Sequence, residues 1–247
     1  MDRIMYLTLL GGLIYLLKTR LDIGFAVSNA ATKSTEPDTV DWLELKTILH
    51  YLYNTQSYGL VLEKSKPGCE LVLDCSVDAS YLTHRDSHSH SCYTLKFGHQ
   101  GAFFSKSVKQ STIATGTCHA ENIAMMTLIK DICFIERLAM EIGRPIKLPI
   151  KIHEDNDALI TLMKQDGGVS KRTKHFMMLI NYCREKVKHG LIEVEHIDSE
   201  LNIADIGSKP IFGQDFRFKR QGLIGLQEGE QQEHPIKRVK RIVTFDV

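Results

Sequence analysis

This 247-residue chain lacks a cysteine pattern that indicates disulfide bonds. Its six cysteines are scattered along the sequence, and no two of them form a Cys-x-x-Cys pair. Such spacing is typical of free thiols in a reducing compartment and argues against a disulfide framework. We therefore expect an intracellular protein.

A strong overall charge is also missing. The formal net charge is +1 at pH 7, in a chain that is 43% hydrophobic and 25% charged. This composition is ordinary for a globular protein and leaves room for one large domain or two small ones. Binding of nucleic acid would require a local basic patch, because the chain has no general positive field.

Long uninterrupted apolar runs are a third absence. The N-terminal apolar run from Tyr6 to Leu17 is broken by Gly11 and Gly12, and it is shorter than the ~20 residues that span a bilayer. It also lacks the cleavage pattern of a signal peptide. We expect a buried helix here and no membrane partner.

What the chain does contain divides into three predicted parts. Residues 1–66 form a helical segment, residues 67–215 form an α/β domain, and residues 216–247 form a polar and basic tail. The three expected helices of the first part are Tyr6–Lys18, Leu21–Ala31 and a third helix that Asp38 or Thr39 would cap. In the tail, Pro235 to Arg241 is a candidate nuclear-import patch.

The stretch from Glu70 to Tyr81 predicts a central strand, because apolar and polar residues alternate along it with period two. Asp78 lies where this strand ends. A carboxylate at the end of a buried strand is costly unless a cation receives it. On local sequence alone, an Asp that caps a turn is the more common structure.

Three more acids lie at the ends or starts of predicted elements. Glu121 is expected in the first turn of a long helix capped by Thr117 or a neighbour, where the helix dipole favours a carboxylate without any partner. Asp155 ends a second strand and should lie beside Asp78 on a neighbouring parallel strand. Asp205 belongs to a final helix that starts at Asn202.

These four acids suggest a metal site. Divalent cations such as Mg²⁺ prefer oxygen ligands, and two of them ~4 Å apart can activate water for phosphodiester hydrolysis. Crowded carboxylates repel one another and resist ionisation, so the cluster makes physical sense only with metal bound. A rival zinc site at His84, His88 and His90 would lie in a Ser-rich stretch, and a solvated hairpin loop is expected there.

Several motifs together resemble the C-terminal part of a copia-type LTR retrotransposon Pol polyprotein, with a reverse transcriptase thumb or connection remnant followed by ribonuclease H. They follow the family's order and spacing: Leu10 to Val27, Asp78-Ala-Ser-Tyr81, Lys109-Gln110, Ala120-Glu121, Asp155-Asn156, Arg172 to His175, and Ala204-Asp-Ile206 with Lys209-Pro210. The glutamate is second among the acids, as in ribonuclease H, whereas transposase and integrase cores place it last.

The resemblance implies a ribonuclease H-like α/β fold, with a mixed five-stranded sheet flanked by helices and preceded by a small helical segment. It also implies a metal-dependent endonuclease that hydrolyses the RNA strand of RNA/DNA hybrids during reverse transcription. Asp78 would bridge two Mg²⁺ ions, with Mn²⁺ as the alternative metal. Asp205 would help to hold the ion that activates water, and Glu121 with Asp155 would hold the other.

The implied partners are the RNA/DNA hybrid and the polymerase portion of the same polyprotein, in the cytoplasm or the nucleus. Hybrid recognition would rest on minor-groove shape, on the RNA 2′-hydroxyl and on phosphate contacts. The basic residues proposed for those contacts, which could equally be surface charges, are Lys106, Lys109, Lys171, Arg172 and Lys174.

Polymerase activity is not expected, because the chain contains no Tyr/Phe-x-Asp-Asp turn. The rival to the nuclease is a non-catalytic, truncated or host-recruited fragment that binds nucleic acid or a partner.

Overall fold

The computed structural model describes residues 2–62, 69–98, 100–164 and 176–225. Within these ranges, no helix has both the length and the apolar character that crossing a bilayer requires. The helices are α1 (Arg3–Leu16), α2 (Gly24–Ala31), α3 (Thr39–Asn54), α4 (Thr117–Glu141), α5 (Asp157–Lys164), α6 (Met177–Lys188), α7 (Asp205–Ser208) and α8 (Gly213–Ile224). The strands are β1 (Leu73–Ser80), β2 (His90–Phe97), β3 (Ala102–Lys109), β4 (Ile150–Glu154) and β5 (Ile192–His196).

The five strands form one mixed sheet in the order β3-β2-β1-β4-β5. Strands β1, β2 and β3 pair antiparallel, whereas β1, β4 and β5 pair parallel. The prediction of a mixed five-stranded sheet flanked by helices is therefore confirmed, and β1 is the central strand as expected.

Strand β1 is buried on both faces. Its residues Leu73, Cys75 and Val77 pack in one apolar cluster with Leu128 and Ile132 of α4. Because successive side chains of a strand point to opposite faces, the alternate residues of β1, including Asp78, face away from this core. That second face lies against α7, so the catalytic candidate on β1 is enclosed by protein.

The N-terminal helices have a core of their own. Tyr6, Leu13, Val27 and Leu45 are buried together in it, and Leu21 on the linking turn joins a different cluster instead. Helix α3 begins with a capping box in which Asp38 and Asp41 each accept a backbone N–H from the other residue. Asp38 was one of the two predicted caps.

This helical segment also packs against the sheet domain. Leu21 is buried with Ala102 of β3, Ile206 of α7, and Leu223 and Ile224 of α8. The two parts thus share an apolar contact beside α7. The proposed boundary at residue 66 stays a prediction, since residues 63–68 lie outside the described ranges.

The predicted start of the tail at residue 216 disagrees with the structure. Residues 213–224 form α8, and its Lys219, Arg220 and Leu223 are buried. Two of these three residues are basic, so the segment had no apolar period that would identify a packed helix. The basic stretch from Lys237 to Arg241 lies outside the described residues.

Gly207 allows α7 to lie directly on β2. A Cβ atom added at Gly207 would clash with the sulfur of Cys92 and would lie 3.2 Å from its Cβ atom. We expect Gly207→Ala to lower the free energy of unfolding by about 1–3 kcal/mol, the usual effect of overpacking a core. Urea unfolding measures this change.

The matched control for this prediction is Gly12→Ala on the exposed side of α1, where no atom lies within 4 Å of an added Cβ. Alanine should stabilise that helix or leave its stability unchanged. Equal unfolding midpoints for the two variants would contradict the proposed packing of α7 on β2.

Candidate functional site

Parallel pairing brings two of the four acids together. The register pairs Asp74 of β1 with Lys151 of β4 and Ser76 with His153. Counting four residues on from the first pair (74 + 4 and 151 + 4) places Asp78 level with Asp155. Asp78 is buried within β1, whereas Asp155 follows the last residue of β4 and is half-buried.

Glu121 comes from the long helix that packs on β1. Its carboxylate, with those of Asp78 and Asp155, forms a group in which one oxygen from each residue lies within 4.8 Å of the others. Gln110 holds the start of the helix, because its Nε2 donates to the carbonyl oxygen of Ala120 at 2.9 Å.

The predicted start of this helix needs two corrections. The residue before α4 is Gly116, and no side chain caps the helix there, so neither Thr117 nor a neighbouring side chain has the predicted capping role. Glu121 is the fifth residue of α4, in its second turn, and the first turn contains no acid. Its carboxylate is therefore positioned by the packing of α4 on the sheet, beyond the strongest part of the helix dipole.

Asp205 enters the site from α7, which is tied to β1 by two side chains. Asn202 donates to the carbonyl oxygen of Val77 at 2.9 Å, and the hydroxyl of Ser208 donates to the carboxylate of Asp78. Asp205 is 2% exposed and raises the pKa of Asp78 by charge repulsion. It is not one of the three acids whose oxygens lie within 4.8 Å of one another, and its two oxygens contact lysines instead.

Those lysines are Lys209 and Lys219. The Nζ atom of Lys209 lies 2.6 Å from Oδ1 of Asp205, and the Nζ atom of Lys219 lies 2.7 Å from Oδ2. The Asp205 carboxylate is thus charge-paired on both oxygens.

Burial and mutual repulsion shift the pKa values of the acids upward. Burial, then the charges of Asp205 and Asp155, raises the pKa of Asp78 to about 7, although Lys209 and Ser208 act in the opposite direction. The pKa of Glu121 is raised well above its ordinary value by burial and then by the charge of Glu154. Without a cation, the site therefore favours protonated carboxyl groups.

Glu154, the last residue of β4, is a fifth acid of this region and was not among the four predicted acids. Its side chain is fully buried, and burial raises its pKa well above the ordinary value. One oxygen of Glu154 and one of Glu121 are buried without a hydrogen-bond partner. Unpaired carboxylate oxygens in a group of acids are the donor set that a hard divalent cation requires, so the residues fit Mg²⁺ or Mn²⁺.

Other predicted residues lie elsewhere. Lys106 and Lys109 are on β3, at the sheet edge two strands from β1, and Lys109 is ion-paired with Asp86. Lys171, Arg172 and Lys174 lie outside the described residues. The proposed role of all five in binding nucleic acid stays a prediction.

The histidine-rich loop is more ordered than the expected solvated hairpin. His90 is fully buried on β2, and burial followed by the charge of His84 lowers its pKa to about 3. Its two ring nitrogens contact Nε2 of His84 at 2.9 Å and the hydroxyl of Ser107 at 2.8 Å. Among the described residues, the group whose ligand atoms lie close enough to hold a metal ion consists of Asp78, Glu121 and Asp155, and it includes no histidine of this loop.

The comparison with known proteins finds transposon relatives. No protein-family model matches the chain. The Pol polyprotein of transposon RE2 from Arabidopsis thaliana is 28% identical over 207 residues, which are 83% of this chain and 14% of that protein. The Pol polyprotein of transposon TNT 1-94 from Nicotiana tabacum is 28% identical over 227 residues, which are 92% of this chain and 17% of that protein.

A shorter relative and two solved structures complete the comparison. Secreted RxLR effector protein 161 of Plasmopara viticola is 32% identical over 127 residues, which are 51% of this chain and 87% of that protein. The structure of LC11-RNase H1 has a TM-score of 0.41 and 13% identity, with 54% of this chain and 90% of that chain covered. A foamy viral protease-reverse transcriptase in complex with RNA/DNA hybrid has a TM-score of 0.39 and 15% identity, with 70% and 26% covered.

The raised pKa of Asp78 makes a prediction for stability in the presence of a chelator. Between its ordinary pKa of 3.8 and the folded value of about 7, the folded chain keeps a proton that the unfolded chain loses. The free energy of unfolding should therefore fall as pH rises through this window. Asp78→Asn removes this contribution. The melting temperature of the variant minus that of the wild type should therefore increase from pH 5 to pH 8.

Two features make this measurement specific. His90 is present in both proteins, so its opposite dependence on pH cancels in the comparison. Adding Mg²⁺ at pH 8 should raise the melting temperature of the wild type, because an ion that binds only the folded chain stabilises it. A constant difference in melting temperature between the two proteins at every pH would disprove the assigned titration of Asp78.

Proposed function

We propose that this chain, a homologue of the copia-type, retrovirus-related Pol polyproteins of plant transposons, is a metal-dependent endonuclease that hydrolyses the RNA strand of RNA/DNA hybrids during reverse transcription. The observation that carries the proposal is the meeting of Asp78, Glu121 and Asp155, with one oxygen of each within 4.8 Å of the others. The chain spans only 14–17% of the Pol polyproteins that it matches, so their other activities are not assigned to it.

Asp78, Glu121 and Asp155 would hold one divalent ion, and Asp205 beside Asp78 would help to hold a second. When bound, the metal supplies positive charge to the phosphodiester and lowers the pKa of water at the site. The fold holds the carboxylate oxygens close together, so binding of the ion would not require these side chains to rearrange. Ser208 contributes by donating to Asp78 and thereby fixing one orientation of that carboxylate.

Lys209 is suited to meet the substrate. Its side chain is 37% exposed while its ammonium group contacts Asp205, so it lies at the boundary between the acids and solvent. Burial disfavours its charge, but Asp78 and Asp205 raise its pKa, and the group stays cationic at neutral pH. A cation at this edge attracts the phosphate that the acids alone would repel.

The proposed partners follow from the same family. The substrate would be an RNA/DNA hybrid, with phosphate contacts from Lys106 and Lys109 on β3. Contact by Lys109 would require it to leave its ion pair with Asp86, which costs little because Asp86 is largely exposed. The polymerase portion of the same polyprotein would be the protein partner, and the location would be intracellular.

Replacement of one acid tests the nuclease directly. Glu121→Gln or Asp155→Asn should reduce cleavage of an end-labelled RNA/DNA duplex in Mg²⁺ at least about 100-fold, the loss typical of removing one charge-stabilising group. The matched control is Glu141→Gln at the exposed end of the same helix, which should cleave like the wild type. Chelator should abolish cleavage by all proteins, and the product should carry a 3′-hydroxyl.

Two outcomes would overturn the proposal. Normal turnover in both Glu121→Gln and Asp155→Asn would show that these acids are not catalytic. Hybrid binding without cleavage by the folded wild type would favour the rival hypothesis of a non-catalytic retroelement fragment.

A further inference from the structure

A buried lysine from α8 completes the acid site. The side chain of Lys219 is 2% exposed, and its Nζ atom lies 2.7 Å from Oδ2 of Asp205, 3.0 Å from Oδ1 of Asp215 and 3.1 Å from the carbonyl oxygen of Ser199. An ammonium group has three N–H donors, and three oxygens surround this one. A lysine is rarely buried to this extent unless its charge is paired, so its place in the fold depends on the acid that it contacts.

The same lysine is connected to a second acid. Ser199 accepts from Lys219 through its backbone carbonyl, and its hydroxyl donates to Oδ2 of Asp155 at 2.5 Å. Lys219 therefore holds Asp205 directly and also holds the residue that orients Asp155. These two acids otherwise come from separate elements, since one follows β4 and the other begins α7.

Lys219 and Lys209 differ in how firmly they are held. Lys209 contacts the other oxygen of Asp205, but its side chain is 37% exposed. Lys219 is enclosed, and three oxygens lie within 3.1 Å of its Nζ atom. Displacement of Lys209 by an incoming cation would leave Oδ2 of Asp205 fixed by Lys219 and Oδ1 available.

We propose that Lys219 is a positioning residue of this site, which fixes Asp205 directly and Asp155 through Ser199 in the orientation that receives a divalent cation. The assignment to a hybrid nuclease rests on the proposed function, whereas the effect on cation binding does not. Lys219 touches neither substrate nor cation in this role and acts only through the carboxylates that it holds.

A simple counter-charge role makes the opposite prediction. Loss of a positive charge next to carboxylates makes the site more negative, and this change alone would tighten the binding of a divalent cation. Loss of a group that orients two ligands would weaken that binding, typically about 10- to 100-fold for a partner outside the ligand set. The sign of the change in the dissociation constant therefore separates the two roles.

The test is a titration of the full chain with Mn²⁺ in the absence of nucleic acid, with free Mn²⁺ followed by electron paramagnetic resonance. Lys219→Met should raise the dissociation constant about 10- to 100-fold, and Lys219→Arg should restore part of the affinity because it keeps the charge and the donors. The matched control is Arg217→Met, which removes one exposed cation two residues away on the same helix and should bind Mn²⁺ like the wild type. Unchanged or tighter binding by Lys219→Met would overturn the proposal.

Rescue by a small amine adds a readout that a general structural defect would not show. In Lys219→Ala, which keeps the Cβ atom, n-propylammonium ions match the atoms removed from the side chain and can supply the missing charge, so Mn²⁺ affinity should rise with amine concentration. The same amine should leave the affinity of the wild type and of Arg217→Met unchanged. Absence of rescue in a Lys219→Ala protein that has wild-type near-ultraviolet circular dichroism would count against the proposal.

A double variant keeps the test decisive if Lys219→Met fails to fold. Asp205→Asn removes the buried charge that would lack its partner, and the Mn²⁺ affinity of Lys219→Met/Asp205→Asn is then compared with that of Asp205→Asn alone. Weaker binding in the double variant supports the link from Lys219 through Ser199 to Asp155. Equal binding in these two proteins overturns it.

The cleavage assay separates this proposal from the proposed function. If the wild type cleaves hybrids, Lys219→Met should need more metal for half-maximal cleavage while its KM for the hybrid stays unchanged. If the wild type does not cleave, the proposed function fails, but the Mn²⁺ titration still decides the role of Lys219.

Discussion

Repulsion among buried carboxylates is the constraint on which the site depends. Asp78, Glu121 and Glu154 are all enclosed, and the pKa of each is raised first by burial and further by neighbouring negative charges. A buried carboxylate without a partner would turn towards solvent or become protonated. Around Asp78 the fold supplies two groups that favour the charged carboxylate, namely the ammonium of Lys209 and the hydroxyl of Ser208. A divalent cation would remove the remaining imbalance.

The fold places the site where several strands and helices end or begin. Parallel pairing of β1 with β4 places Asp78 level with Asp155, and the packing of α4 on β1 adds Glu121. Helix α7 comes close enough to contribute Asp205 because Gly207 has no side chain to separate it from β2. The N-terminal helices support α7 and α8 from outside through the apolar cluster around Leu21. The acids are therefore positioned by contacts that involve most of the described chain.

The departures from prediction have a common physical cause. Lys219 was assigned to a polar tail because a lysine ordinarily marks solvent, yet here the charge is paired and the whole side chain is buried. His90 was assigned to a solvated loop for the same reason, but contacts with His84 and Ser107 satisfy its ring. A sequence pattern predicts that polar residues lie at the surface. Only the partners that they meet in three dimensions make their burial tolerable.

The sequence by itself determined the alternating pattern of β1 and the order of the four acids along the chain, because strand period and residue spacing are local properties of a sequence. Tertiary structure alone decided that Asp78, Glu121 and Asp155 lie within 4.8 Å, and that Lys219 closes on Asp205. These contacts join residues that are 14 or more positions apart and belong to different elements. No local periodicity encodes such distances, since they arise only when strands pair and helices pack.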